Sequence, residues 1–318
     1  MVSSCSNNSK WWHQPSLEMR KQGKSSRQIA KDLFGKSSMK SSVNYFFNKY
    51  DAENKDVSNV NLKIKDNILF YDIETSLSVS YHWNQWGVNL SNKQKIHESH
   101  LLSHAWAWGN GDVEGTVLSP EEAINRDPER LVLEAWALLD NCDVLVGHNC
   151  KKYDVRKVNA YFLQYGLPPP SPYKVVDTLR IAKSKFNLPF NSLDYLAKFL
   201  GVEQKIETSG IDLWIKCSQG DNEALRTMLE YNLGDVKTQR AVYEKLIAWD
   251  NQAANMAVYN DDSDALCPHC GSDDIKSLEG KFAHTMNRKY HLYRCGNCSA
   301  TLRGNTSESK VNKFVRVV

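Results

Sequence analysis

The feature that most constrains this chain is a nine-residue run, Asn67-Ile68-Leu69-Phe70-Tyr71-Asp72-Ile73-Glu74-Thr75, whose apolar centre is interrupted by acids at Asp72 and Glu74. A short apolar run of this kind reads as a buried strand. Successive side chains on a strand alternate between faces, so Asp72 and Glu74 point the same way and form a carboxylate pair. Two carboxylates that close repel each other, and a divalent cation relieves the repulsion.

The elements that follow fix the setting of that strand. A polar and aromatic stretch, 76–100, contains Tyr81, His82, Trp83 and Trp86. Core packing is the expectation for these rings, with stacking on unpaired bases as the alternative. Leu101 to Trp108 and Val113 to Leu118 flank Asn110-Gly111, a strong hairpin signal. Helical stretches lie around 120–141, then a strand Val144–Gly147 and a helix from about Tyr153 to Tyr165. Pro168-Pro169-Pro170 breaks the chain before a last strand at Val175-Val176-Asp177, and helix or loop fills Thr178 to about Asn255. Three strands joined by hairpins, then helix, strand, helix, strand and a helical finish resemble the ribonuclease-H-like α/β fold, a mixed five-stranded sheet with helices.

Two further clusters repeat the acidic theme. Gly147-His148-Asn149-Cys150-Lys151-Lys152-Tyr153-Asp154 sits at the mouth of a strand, where α/β sheets bind ligands. Tyr231 and Asp235, four apart in Tyr231-Asn232-Leu233-Gly234-Asp235, share a helix face. Gly234 costs such a helix about 1 kcal/mol relative to alanine and allows close packing or a bend. In this order, Asp72-x-Glu74, Asn149-x-x-x-Tyr153-Asp154 and Tyr231-x-x-x-Asp235 resemble the three motifs of the DEDD exonuclease superfamily. The tyrosine of the third motif is similar to the branch shared with proofreading domains of family A and B DNA polymerases. The stretch Gly210 to Asp235 resembles stand-alone bacteriophage exonucleases.

That resemblance implies a two-metal phosphodiester hydrolysis. Asp72, Glu74 and Asp235 would ligate one Mg²⁺ or Mn²⁺, Asp72 would bridge to a second, and Asp154 would hold the second directly or through water. Oxygen-only donors suit these ions better than zinc. Tyr231 would orient the attacking water, its ordinary pKa near ~10 making it a poor base at neutral pH. Asn149 and Tyr153 would touch the terminal nucleotide, although Tyr153 serves equally well as core. His148 reads as a hydrogen-bonded histidine at a strand end, and Asp177 as the cap of a helix starting at Thr178.

Charge is unevenly distributed. Residues 1–50 hold nine Lys and Arg against two Asp and Glu, residues 51–265 hold 22 against 31, and residues 266–318 hold nine against four. Basic ends around an acidic body suggest two polyanion-binding modules. In the first, residues 11–50, Ser16 is expected to cap a helix ending at Gly23, and Ser25–Gly35 a second with Ile29, Ala30 and Leu33 on one face. A third, from Ser37 or Ser38, would turn Val43, Phe46 and Phe47 inward and Lys40, Ser41, Ser42 and Asn44 outward. Met19 to Val43 resembles a helix-turn-helix module of resolvase or homeodomain-like kind, which implies DNA contacts from Lys40 and Lys49; a bundle that merely packs is the alternative. Residues 51–66 read as a linker.

Four of the eight cysteines form two knuckles, Cys267-x-x-Cys270 and Cys295-x-x-Cys298. Four thiolates so spaced suit one tetrahedral structural Zn²⁺, and the residues between read as strands of a zinc ribbon over 264–305. Lys276, Lys281, Arg288, Lys289, Arg294 and Arg303 surround it, and a basic tail covers 306–318.

The combined expectation is a three-module enzyme with its ribonuclease-H-like domain over 67–255, a metal-dependent 3′–5′ exonuclease. Its partner is nucleic acid, DNA ahead of RNA, with action alone or beside a separate DNA polymerase or replication machinery. Two alternatives stand: an endonuclease of transposase or junction-resolvase type, and a DNA-binding regulator with an inactive nuclease fold. Met1–Ser6 lacks the apolar stretch of a secretory signal, and no run nears the roughly 18 apolar residues of a membrane helix. The expected location is the cytoplasm, that of the host if the chain is phage-encoded, with no membrane partner.

Overall fold

Strand alternation divides the centre of the molecule into two cores. In the computed structural model, which describes residues 12–35, 39, 40, 42–44, 46, 47, 68–83, 86–202, 210–251, 254–259 and 265–308, the acid-bearing run forms β1 (Ile68–Thr75). Leu69, Tyr71 and Ile73 enter one cluster of buried side chains, while Ile68 and Phe70 enter the other. Asp72 and Glu74 continue the second face towards the end of the strand.

The sheet is built as the sequence order requires. β4 (Leu101–Trp108) pairs antiparallel with β1, and β5 (Val113–Val117) pairs antiparallel with β4. β6 (Val144–Gly147) and β7 (Lys174–Asp177) add parallel strands on the other side, giving the order β5-β4-β1-β6-β7. Helices α3 (Pro120–Asn125), α4 (Glu129–Asn141) and α5 (Asp154–Gln164) follow the hairpin and β6, and α6 (Thr178–Lys185) and α7 (Leu193–Leu200) follow β7. After α8 (Ile211–Ser218), the helix α9 (Asn222–Leu246) runs 25 residues straight through Gly234. Its early Leu225 and Met228 join the first core and its later Val236, Val242 and Leu246 the second. The middle turn, with Tyr231 and Asp235, is thereby carried past the acid end of β1. Gly115 on β5 permits this approach: a Cβ there would lie 3.0 Å from the Leu229 side chain and 3.1 Å from that of Leu233.

The stretch 76–100 departs from expectation. It forms a small hairpin of β2 (Val79–Ser80) and β3 (Lys95–His97), which among the described residues pair only with each other. Tyr81, Trp83 and Trp86 are 74%, 98% and 87% exposed, so the expected core packing is wrong. Strands of two and three residues, forming a two-stranded sheet by themselves among the described residues, offer little to bury a ring in.

At the N-terminus, α1 (His13–Lys21) and α2 (Ser26–Phe34) precede helical residues 40, 42–44, 46 and 47. Ser25 caps α2 through a reciprocal capping box with Gln28, and Gly35 closes it with φ 70°. Ser16 does not cap α1. Trp12, 2% exposed against Phe34 and Phe46, anchors the chain a turn earlier, and Ser16 is buried inside the helix. Ser42 is also buried, contrary to its outward assignment, because it falls three after Met39 and four before Phe46 on the apolar face. Val43, Phe46 and Phe47 are inward as expected, in a cluster that also takes in Leu133 of α4. Lys40 is exposed; Lys49 and the linker 51–66 lie outside the described residues.

A second, three-stranded antiparallel sheet, order β10-β9-β8, is made by β8 (Ile275–His284), β9 (Lys289–Cys295) and β10 (Thr301–Ser307). It runs two residues past the expected end at 305. Among the described residues, no helix is long and apolar enough to cross a membrane.

Candidate active site and metal centre

Three carboxylates meet at the end of β1. Ligand oxygens of Asp72, Glu74 and Asp235 all lie within 4.8 Å of one another. β1 supplies two of them by alternation and the middle turn of α9 the third. Asn232, completely buried, fixes the junction: its Nδ2 donates to Asp72 Oδ2 at 2.7 Å, and its Oδ1 accepts from Ser103 Oγ of β4 at 2.9 Å. Lower on α9, Gln239 Nε2 donates to the Val146 carbonyl at 2.8 Å, tying the helix to β6. Neither Asn232 nor Gln239 was singled out from the sequence. For Asn232 the signal was present, since residues three apart also share a helix face and Asn232 precedes Asp235 by three.

Asp154, at the first turn of α5, stands outside this group of three and is 4% exposed. Its Oδ1 accepts from the Ile73 N–H at 3.3 Å, which sets it against the same strand. Burial pushes its carboxyl up to about 7, against the pull of backbone hydrogen bonds. An ordinary aspartate is a stronger acid by about three units, so its burial favours a protonated carboxyl until a cation or a donor compensates the charge.

The loop between β6 and α5 is locked by four devices. Gly147 leaves room for it: a Cβ there would fall 2.2 Å from that of Cys150. Asn149 turns the chain with φ 63°, a left-handed conformation that asparagine tolerates. Asp177 caps α6 as expected, accepting from the Leu179 and Arg180 N–H groups, and also accepts from the Asn149 N–H at 2.9 Å. His148 is pinned at both nitrogens, to Thr178 Oγ1 at 2.9 Å and the Asn191 carbonyl at 3.0 Å. Because a carbonyl only accepts, Nε2 carries a proton. Tyr153 is 46% exposed rather than core, with its hydroxyl 2.9 Å from Thr75 Oγ1 beside Glu74. Tyr231, one turn before Asp235, meets Trp214 edge to face at 6.0 Å.

A family model described as the RNase_H superfamily (RNase_H_2) matches residues 69–247, more than half of the chain. The chain belongs to the ribonuclease H superfamily. All but the first residue of the five-stranded sheet, helices α3 to α9 and the three-carboxylate end of β1 lie within the matched ribonuclease H superfamily region. Among solved structures, the domain is similar to the family B DNA polymerase from the hyperthermophilic archaeon Pyrobaculum calidifontis, with 18% identity and a TM-score of 0.43. That similarity covers 57% of this chain and 24% of the polymerase chain. No curated protein matches the sequence. The acids of this ribonuclease H superfamily chain could bind a metal: Asp72, Glu74 and Asp235 form an oxygen-only set that suits Mg²⁺ or Mn²⁺.

The second cluster, Cys267, Cys270, Cys295 and Cys298, has a different chemistry. Sγ atoms of Cys267 and Cys298, and of Cys270 and Cys295, are 3.6 Å apart. A disulfide would bring them to about 2 Å. Four sulfurs at about 2.3 Å from one tetrahedral Zn²⁺ stand about 3.8 Å from each other, so the spacing fits an ion. Asn297 Nδ2 donates to Cys270 Sγ at 3.5 Å, the kind of outer contact that orients a metal-binding thiolate. Cys267 and Cys295 are buried with Ala300 and Leu302, and this small cluster is consistent with a zinc ribbon.

Proposed function

We propose that the chain is a metal-dependent 3′–5′ exonuclease of the DEDD type with tyrosine in the third motif, acting on DNA. The observation that carries this reading is the convergence of Asp72, Glu74 and Asp235 within 4.8 Å at the end of β1, with Tyr231 one helical turn away. Asp72, Glu74 and Asp235 would hold one Mg²⁺ or Mn²⁺, and Asp72 with Asp154 a second. Bound there, the cations would supply Lewis-acid stabilisation of charge on the phosphate and a lower pKa for water. The protein's own groups do the rest. Asn232 holds the Asp72 carboxylate in one orientation through its amide, Tyr231 orients the attacking water with its hydroxyl, and Asn149 and Tyr153 meet the terminal nucleotide. The flanking modules act as nucleic-acid holders: the N-terminal helices through Lys40 and Lys49, and the Zn²⁺ ribbon through its basic residues. Action beside a separate DNA polymerase, in the cytoplasm of a bacteriophage host, belongs to the same reading.

The test uses 5′-labelled single- and double-stranded DNA and matching RNA, with Mg²⁺ or Mn²⁺ and with EDTA. A metal-dependent ladder that shortens from the 3′ end is expected, with Asp72→Ala slower by about 10³-fold or more. Internal cuts in circular DNA would transfer the assignment to a resolvase-like endonuclease. Binding with no cleavage under any metal would leave a DNA-binding protein with a retired nuclease fold.

A further inference from the structure

Alternation gives the small C-terminal sheet two unlike faces. On β9, Lys289, His291, Tyr293 and Cys295 point one way, and Tyr290, Leu292 and Arg294 the other. The first face is occupied. Cys295 and Tyr293 pack in the cysteine cluster with Ala248, just past the end of α9, and the Pro268 carbonyl accepts from the Met256 N–H at 2.8 Å. Its basic groups are matched as well. The Lys289 ammonium lies 3.7 Å from the Glu308 carboxylate and 4.1 Å from the centre of the Phe282 ring, and His291 also meets Glu308.

The second face is open and basic. Lys276 of β8 pairs with Arg294, and Arg303 of β10 with Leu292, so all four side chains share it. Lys276, Arg294 and Arg303 are exposed, and Tyr290 and Leu292 are half-buried beside them. The Arg303 guanidinium sits over the Tyr290 ring, 4.6 Å from its centre, and Arg294 Nη2 donates to Thr301 Oγ1 at 3.2 Å. Among the described residues no carboxylate lies within ion-pair distance of Arg294 or Arg303, and Lys276 meets Asp274 at 3.6 Å. Three cations around an aromatic–guanidinium pair complement a polyanion that offers free base faces, which is an unpaired nucleic-acid strand. A duplex fits this surface less well. Its major groove, about 12 Å wide, admits a two-stranded ribbon, and the third strand, about 4.8 Å further out, keeps the sheet from entering.

We propose that this outer face binds single-stranded DNA upstream of the bond that is cut, its cations meeting phosphates and a base stacking on the Arg303–Tyr290 pair. The choice of DNA and the direction of the strand rest on the exonuclease reading; the binding of a strand does not. Ala248, where the sheet is anchored, follows Asp235 by 13 residues, about 20 Å of helix. The face is therefore engaged only by a substrate long enough to leave the carboxylates and continue along α9, so length decides which strands it holds.

The experiment compares the full chain with the triple variant Lys276→Gln, Arg294→Gln, Arg303→Gln on a 5′-labelled single strand of about 20 nucleotides. Binding is read by anisotropy over a salt titration without Mg²⁺, Mn²⁺ or chelator, and bound zinc and melting temperature are measured alongside. The triple variant is expected to bind about tenfold more weakly or worse, and its salt slope to shrink by about 2, since three phosphates on a single strand contribute ~0.7 each. Arg303→Lys, which keeps the charge and gives up the plane, should weaken the same strand about threefold while leaving the salt slope as it was. With Mg²⁺, the triple variant raises KM for the long strand. It leaves kcat and KM for a trinucleotide, about 10 Å long when stacked, at wild-type values. Wild-type affinity and salt slope in the triple variant would overturn the proposal, as would an equal loss for a blunt duplex of the same length. Binding that depends on these three residues in a protein that cleaves nothing with any metal would sink the exonuclease reading and leave the face standing.

Discussion

The four-cysteine cluster and the three-carboxylate cluster both gather groups that a cation would hold together, by opposite routes. Cys267 and Cys298 are 31 residues apart, and two tight knuckles bring their partners in with them. Asn232, which positions Asp72, is 160 residues away from it, and the contact exists only because a five-stranded sheet and a 25-residue helix have packed. In the small C-terminal sheet, the buried residues of the core are Cys267, Cys295, Ala300 and Leu302 among those described, so cysteines are half of that core. Around β1, two large apolar clusters surround the strand and the acids sit at its margin. The four-cysteine region is therefore expected to depend on a bound ion to fold, and the sheet domain to fold without one while holding its acids against their mutual repulsion.

Withdrawing zinc breaks this comparison most forcefully. A structural zinc site contributes about 10–16 kcal/mol of apparent binding free energy, much of it folding free energy. Strong chelation, or Cys267→Ser, is expected to collapse the amide signals of residues 265–308 and open them to protease while the sheet domain melts as before. Loss of the sheet transition as well would show the two regions to be one cooperative unit. At the carboxylate site the corresponding change is quieter. Asn232→Ala removes the amide that orients Asp72 and leaves every proposed ligand in place, so apparent Mg²⁺ affinity should fall about 10–100-fold. Calorimetric titration of metal into the variant checks it, and wild-type affinity would remove Asn232 from the site.

Acid sharpens the contrast within the sheet domain itself. His100 closes the small hairpin onto the end of β1, its Nδ1 2.8 Å from Ser76 Oγ, and burial pulls its pKa down to about 4. A depressed histidine contributes stability that is present above its unfolded pKa near ~6.5 and is lost as pH falls towards the folded value. Wild type should therefore lose about 1–2 kcal/mol more than His100→Gln between pH 6.5 and 4.5. Parallel slopes in denaturant titrations across that window would refute the linkage. The smallest effect belongs to Trp83. Fully exposed on the hairpin, it should change stability by less than about 0.5 kcal/mol when replaced by alanine, while iodide quenching of tryptophan fluorescence falls. A drop of several degrees in melting temperature would mean that the ring is covered.

These regions also separate what a reader of the sequence can see. The strand order, the Asn110-Gly111 hairpin and the Asp177 cap were legible because each is written in neighbouring residues: an alternating face, a turn pair, an oxygen two residues ahead of the amide it accepts from. The cysteine knuckles were legible for the same reason. The exposure of Trp83 and Trp86 was not, because hydrophobic character announces a wish for burial without saying whether a second layer exists. Ser16 was misread because the buried Trp12 starts its helix a turn early, and Ser42 because a side chain so small betrays no preference between two faces.

By itself, then, the sequence determined the strands and most helices of the central domain, the face on which Asp72 and Glu74 lie, and the four thiols within reach of one ion. All of these follow from periodicity and spacing over a few residues. That Asp235 meets Asp72 was expected only through the motif resemblance; tertiary structure alone decided that Asp154 stands outside that group and that Asn232 clamps the junction. Those outcomes depend on where long elements cross, which packing fixes to within an ångström and no local pattern encodes.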